Sequence, residues 1–379
     1  MPRPVGRGEV PQRAKGRSQD KNDVPSWALY RGGPQRLGRS PWRLPRQVPK
    51  VRWRYVAGRS IAVQATLDAH GRVYLASLDG YVHALDAKGK RRWRARVGAE
   101  IFTSPQLTPW GLLVGGDDER LRLLSTKDGA QQWSVRAGPC NKLPGFGPDR
   151  VLCHVDSAPV SRGGVVYFAA DALYALDVAS GKVRWRKSLP GHAHGALALA
   201  GDTLIVATQG FAVLAFARDD GRLLWNHPVR GHCDTTPAIA GDRVYVGCDD
   251  AQLHALGLAD GKPLWTLRTR RAVRSSPAVD KAGRVYFGSY DHRLRAVDRD
   301  GKLLWSLRTG GPVHASPLVD AHGTLVFGSQ DDHLYGVDSE SGRLLWRFLL
   351  GGDVDASPVA GPDGTLYVGA DDGVLTALR

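Results

Sequence analysis

From Ser275 to Thr309 the apolar residues fall into four short runs, SPAVD, RVYFGS, HRLRAVD and KLLWSLRT, separated by KAG, YDH and DRDG. Each run is rich in β-branched or aromatic residues and is bounded by turn-forming Gly and Asp, which predicts strands. The connections are too short for anything but antiparallel neighbours. No stretch keeps a 3.6-residue apolar period, so helices are not expected.

The same pattern recurs along the chain. Trp53, Trp93, Trp133, Trp185, Trp225, Trp265, Trp305 and Trp346 follow one another at spacings of 40, 40, 52, 40, 40, 40 and 41 residues. In seven of these units a glycine (Gly89, Gly129, Gly181, Gly221, Gly261, Gly301, Gly342) precedes the Trp by four positions. Such a period marks a repeat architecture, and four antiparallel strands per repeat predict an all-β, eight-bladed β-propeller. The glycine suits a turn with φ > 0 between strands three and four. The Trp on the outer strand is placed to cover the seam to the next blade. Innermost strands are expected near residues 61–67, 102–107, 156–161, 194–199, 234–239, 274–279, 314–319 and 355–360. The eighth unit ends at Arg379 after its third strand. KVRWRYVA, residues 50–57, supplies the missing outer strand and closes the ring, leaving no open edge.

Charge modifies the picture little. The formal net charge is +15, but residues 1–50 hold twelve Lys/Arg against three acids, while the other 329 residues hold forty against thirty-four. The basic excess belongs mainly to the N-terminus, so no specific nucleic-acid partner is expected. Residues 1–26, rich in Pro, Gly and Arg, read as a disordered basic tail. Residues 27–49 read as a lead-in that docks on the body, and 50–379 as the propeller. No apolar run is long enough to span a bilayer, no secretory leader is evident as written, and a closed ring is expected to be a monomer.

The pattern VYxGSxDGxLxALDxxxGxxxW, seen as VYLASLDGYVHALDAKGKRRW at 73–93 and VYFGSYDHRLRAVDRDGKLLW at 285–305, resembles the repeat of the pyrroloquinoline-quinone (PQQ)-type, or quinoprotein-like, propellers. WALYRGGPQRLGRSP at 27–41 resembles the lead-in found ahead of many of them. That family includes dehydrogenases that bind quinone and calcium over the central channel, and non-enzymatic members such as the propeller of the outer-membrane protein assembly machinery. This chain has neither the adjacent Cys–Cys pair nor the insertions of the dehydrogenases. The resemblance therefore implies a non-enzymatic scaffold for proteins or peptides, with no cofactor expected. The alternative it leaves is a PQQ- or metal-dependent oxidoreductase, or a ligand-binding propeller.

The repeats disagree just ahead of their strand-one prolines. Three positions upstream stand Ala62, Phe102, Asp156, His194, Asp234, Arg274, His314 and Asp355; five upstream stand Ser60, Glu100, His154, His192, His232, Ala272, Pro312 and Asp353. Alternation along an extended segment sends both sets to one face, where they would ring one mouth of the channel. His154 with Asp156, His192 with His194 and His232 with Asp234 offer three neighbouring pairs of nitrogen or oxygen ligands suited to zinc, iron, nickel or copper. The same residues, with Arg274, His314 and Asp355, equally describe a solvated polar rim.

The four cysteines form two close pairs. Cys140 and Cys153 bracket a twelve-residue insertion that carries Phe146, and a disulfide there would pinch it off. Cys233 and Cys248 lie on adjacent segments of blade five, where a bond and a pair of buried thiols both remain open. Disulfides favour an oxidising compartment. Together with the resemblance they point to the periplasm or cell envelope, against a cytoplasmic alternative suggested by the missing leader.

Overall fold

The computed structural model of the protein describes residues 30–98, 100–138 and 154–379. The basic tail and the Cys140–Cys153 pair with Phe146 lie outside the described residues. Eight antiparallel sheets succeed one another around a central channel, an eight-bladed β-propeller. Blade six is representative: Ala278–Val279, Val285–Ser289, Arg293–Val297 and Leu303–Arg308, innermost to outermost. Blade eight is assembled from both ends of the chain. Val359–Ala360, Leu366–Gly369 and Val374–Leu378 are completed by Val51–Val56, which pairs antiparallel with Val374–Leu378. The backbones of Lys50 and Arg379 exchange two hydrogen bonds at that junction.

The innermost strands are shorter than the sequence suggests. In the six blades that carry the proline they begin after it rather than three residues before it, as at Leu318–Asp320 following Pro317. Proline has no N–H to give the ladder, and the residues upstream of it instead run extended along the channel without pairing in the sheet.

The core lies at the blade seams. Tyr286, Leu294 and Ala296 of blade six pack with Leu325, Phe327 and Tyr335 of blade seven, all buried. On the outer rim each Trp lies on the glycine of the following blade. A Cβ on Gly301 would sit 2.6 Å from the Trp265 ring, and one on Gly342 2.6 Å from Trp305. Both glycines also hold positive φ, 84° and 73°. The indole N–H of Trp265 then donates to the Arg299 carbonyl at 2.8 Å, and that of Trp305 to Ser339 at 3.0 Å. Blade eight has no such glycine turn, because the chain ends first. Trp346 donates instead to the Pro45 carbonyl, at 2.9 Å.

Residues 30–40 occupy one end of the channel, and the chain then runs outward over blade seven, where Arg46 meets Asp338 and Pro45 meets Trp346. The carbonyls of Pro34, Gln35, Leu37 and Gly38 accept from the N–H groups of Leu199, Ile239, Val279 and Val319 in turn, one from each of blades four to seven. Arg39–Ser40 then adds a fifth, parallel strand inside blade seven. Two fully buried arginines anchor this plug. Arg36 donates to the carbonyls of Tyr30, Leu197, Ala158 and Pro159, and Arg31 to those of Arg36 and Pro277. Burial lowers both guanidinium pKa values, to about 10 at Arg31 and about 9 at Arg36, which leaves both charged at neutral pH. One end of the channel is therefore closed.

Candidate functional site at the open channel mouth

The other end opens into a cavity of about 530 Å³. All eight residues three positions ahead of the strand-one proline position line it: Ala62, Phe102, Asp156, His194, Asp234, Arg274, His314 and Asp355. Small side chains one step before the proline, such as Ser104, Thr236, Ser276 and Ser357, continue the wall inward, and Tyr30 of the plug forms part of the lining.

A second column of residues completes the mouth: Asp117, Asp171, Gln209, Asp249, Tyr290, Gln330 and Asp371, each just after strand two. Every one reaches across a seam to the blade that follows. Asp249 takes both Nε and Nη2 of Arg274, at 2.8 and 2.6 Å, and the pairing holds the guanidinium pKa above its usual value. Gln330 donates to Asp355 at 3.0 Å, and His314 Nδ1 lies 3.3 Å from the same carboxylate. Burial works against the Asp355 charge, but His314 and Gln330 outweigh it and keep its pKa low. Tyr290 meets the His314 ring edge-on at 5.9 Å, and Asp371 accepts from Ser60 at 2.7 Å.

The sequence grouped three blades as one arc; the structure divides it. In blade five, His232 Nδ1 lies 2.7 Å from the Gln209 carbonyl and its ring stacks on Phe211, while Asp234 accepts from Gln209 Nε2 at 3.1 Å. Both are committed elsewhere. Blades three and four, by contrast, converge on Asp156, whose side chain is only 4% exposed. His194 Nε2 lies 3.3 Å and His192 Nε2 3.6 Å from Asp156 Oδ2. His192 Nδ1 is 3.2 Å from Asp171, and His154 Nδ1 3.2 Å from Asp117. Burial opposes a charge on His192, yet Asp156 and Asp171 overcome it and raise its pKa to about 9. The Asp117 hydrogen bond raises that of His154, and burial raises that of Asp117. Burial is the largest single influence on Asp156 and would raise its pKa, but its three histidines together outweigh it and hold the pKa low.

Asp117 and Asp171 escaped the sequence reading because they stand in a different repeat column from the histidines they serve. That column varies as conspicuously, with Leu78, Gln209 and Tyr290 among its members. Cys233 and Cys248 are joined in a disulfide, both fully buried. That removes Cys248 as a ligand from its grouping with Asp250 and His254.

The profile of the family described as Outer membrane protein assembly factor BamB matches residues 36–152, 144–267, 212–348 and 291–379. The chain belongs to this family. BamB of Bordetella pertussis is 25% identical over 134 residues, 35% of this chain and 32% of that protein, so the chain matches about a third of the length of that curated relative. The crystal structure of BamB from Moraxella catarrhalis aligns with a TM-score of 0.72 at 17% identity, over 88% of this chain and 100% of that one. Quinohemoprotein alcohol dehydrogenase from Comamonas testosteroni aligns with 0.80 at 14%, over 94% and 81%. At such identities the likeness is one of fold. Among the described residues, no helix is long and apolar enough to cross a membrane.

The mouth is a poor match for the quinone and calcium of the dehydrogenase branch. PQQ is a tricarboxylate, and the one arginine of the lining is held bidentate by Asp249 among three lining carboxylates. Calcium prefers six to eight oxygen ligands, whereas the convergent donors here are imidazoles around one buried carboxylate.

Proposed function

We propose that this propeller is a non-enzymatic scaffold of the bacterial cell envelope, acting in outer-membrane protein assembly. It would present its open mouth and the adjoining edges of blades three to five to a protein or peptide partner. The family match running from residue 36 to 379 carries this reading. A closed channel end and a mouth lined by Asp156, His194, Asp234, Arg274, His314 and Asp355 agree with it, since these walls offer hydrogen bonds and charge instead of a predominantly apolar pocket for a small substrate. The buried Cys233–Cys248 disulfide agrees with a periplasmic or envelope location.

The test places a photo-crosslinking residue at Phe102, on the mouth, or at Lys281, in an exposed turn at the plugged end, in the source bacterium. A specific envelope adduct from position 102, weak or missing from 281, is expected, together with lowered outer-membrane protein levels on deletion of the gene. Normal outer-membrane protein levels with no adduct at 102 would overturn the reading. Addition of PQQ and calcium should produce neither an absorbing holo-protein nor dye-linked alcohol oxidation; activity would move the protein to the enzymatic branch.

A further inference from the structure

We propose that Asp156, His192 and His194 form a binding site for one first-row divalent cation, of which zinc is the probe, at the seam of blades three and four. The proposal does not rest on the scaffold reading.

Their ligand atoms all lie within 4.8 Å of one another. The distances from Asp156 Oδ2 to the two imidazole Nε2 atoms, 3.3 and 3.6 Å, are close to the about 3.3 Å that separates neighbouring ligands around a tetrahedral zinc with bonds near 2.0–2.1 Å. Two of the atoms are incompletely satisfied in the protein alone. Asp156 Oδ1 is buried without a hydrogen-bond partner, and buried His192 Nε2 has Asp156 Oδ2 only at 3.6 Å, too far for a hydrogen bond; a cation bound by this carboxylate and imidazole would offset that cost.

The surroundings fit as well. Asp171 lies against His192 Nδ1 at 3.2 Å, which fixes the ring and leaves Nε2 for a metal, the usual role of a carboxylate behind a ligating imidazole. Asp117 and His154 stand on the other side of Asp156 as a second acid–imidazole pair. Asp156 and His194 face the cavity, so a fourth coordination position would open toward whatever occupies the mouth. Two imidazoles and a carboxylate suit zinc, and the hard cations calcium and magnesium much less.

Full-length protein, made without a histidine tag and stripped with EDTA, would be titrated with zinc chloride by calorimetry and with cobalt chloride by visible absorption. One equivalent of zinc and a tetrahedral cobalt spectrum are expected. His194→Ala, at a half-exposed position where the fold should survive, should abolish both; its melting in EDTA, compared with wild type, checks that it is folded. Asp171→Asn should weaken zinc about 10- to 100-fold, the usual loss when an orienting partner is removed. His232→Ala should bind as wild type does. No stoichiometric zinc on the wild type, wild-type binding by His194→Ala, or equal losses at His194 and His232 would each overturn the site.

Discussion

The two ends of this channel are built from the same eight strands and solve opposite problems. At the plugged end, fixed cations meet fixed dipoles: Arg31 and Arg36 are fully buried and aim their donors at strand and plug carbonyls. At the mouth, titratable groups meet one another across seams, with partial exposure and with some buried atoms unpartnered. The first arrangement can only hold the fold together. The second can change charge or accept a ligand, and that contrast is the reason for proposing the mouth as the functional end.

Arg36→Ala tests the plugged end and should be the costliest substitution. It strands the carbonyls of Leu197, Ala158, Pro159 and Tyr30, and each buried group left unpaired costs about 1–3 kcal/mol. A loss of at least about 4 kcal/mol is expected in urea unfolding. A loss under about 1 kcal/mol would mean that the plug is no more than a surface association.

The disulfide offers a way to disturb the mouth alone. Cys233 and Cys248 are 15 residues apart in sequence, and closing a loop of that length stabilises by about 3 kcal/mol on the chain-entropy model. Replacing both by alanine should cost about that much. Hydrogen exchange should rise at residues 232–236 and stay unchanged at 197–199, beside the plug. Equal loosening at both ends would show that the two are one cooperative unit.

How far each end could be read in the sequence follows from repetition. Blade number, the glycine–tryptophan seam and closure by residues 50–57 recur, or fill a gap in something that recurs. Asp156 and His194 were visible because they break a repeating column. The plug occurs once and has no period, and nothing in the 27–49 lead-in marks its arginines for burial; only the folded ring turns Arg31 and Arg36 inward. Asp117 and Asp171 stay hidden for another reason. Their partners are set by contact between successive blades, 21 residues along the chain from Asp171 to His192, and no local spacing reports that.

Between blades three and four the mouth should respond to pH. In metal-free protein the His192 pKa of about 9 exceeds its unfolded value of about 6.5. Its proton thus favours the folded state, fully so below about pH 6.5, and that contribution disappears as pH rises through about 9. Melting in EDTA should lose about 2 to 3 kcal/mol of stability across this interval, and His192→Gln should flatten the slope. An unchanged slope in the variant would separate the histidine from its carboxylates.

The smallest effect is expected where the mouth resembles a closed pair. Arg274 holds Asp249 in bidentate fashion, yet its side chain is 39% exposed. Water and salt screen such a pair, so Arg274→Gln should cost no more than about 1 kcal/mol, less still in high salt. At the seam of blades three and four, Asp156 and His192, 4% and 10% exposed, meet with far less solvent, while His194 stays half-exposed. If Arg274→Gln instead cost as much as Arg36→Ala, the mouth would be a structural clamp around its whole circumference. A small cost would leave Asp156, whose buried Oδ1 has no hydrogen-bond partner beside His192 and His194, as the place among the described mouth residues where a buried charge is incompletely paired beside two further ligands, which is the condition a ligand site requires.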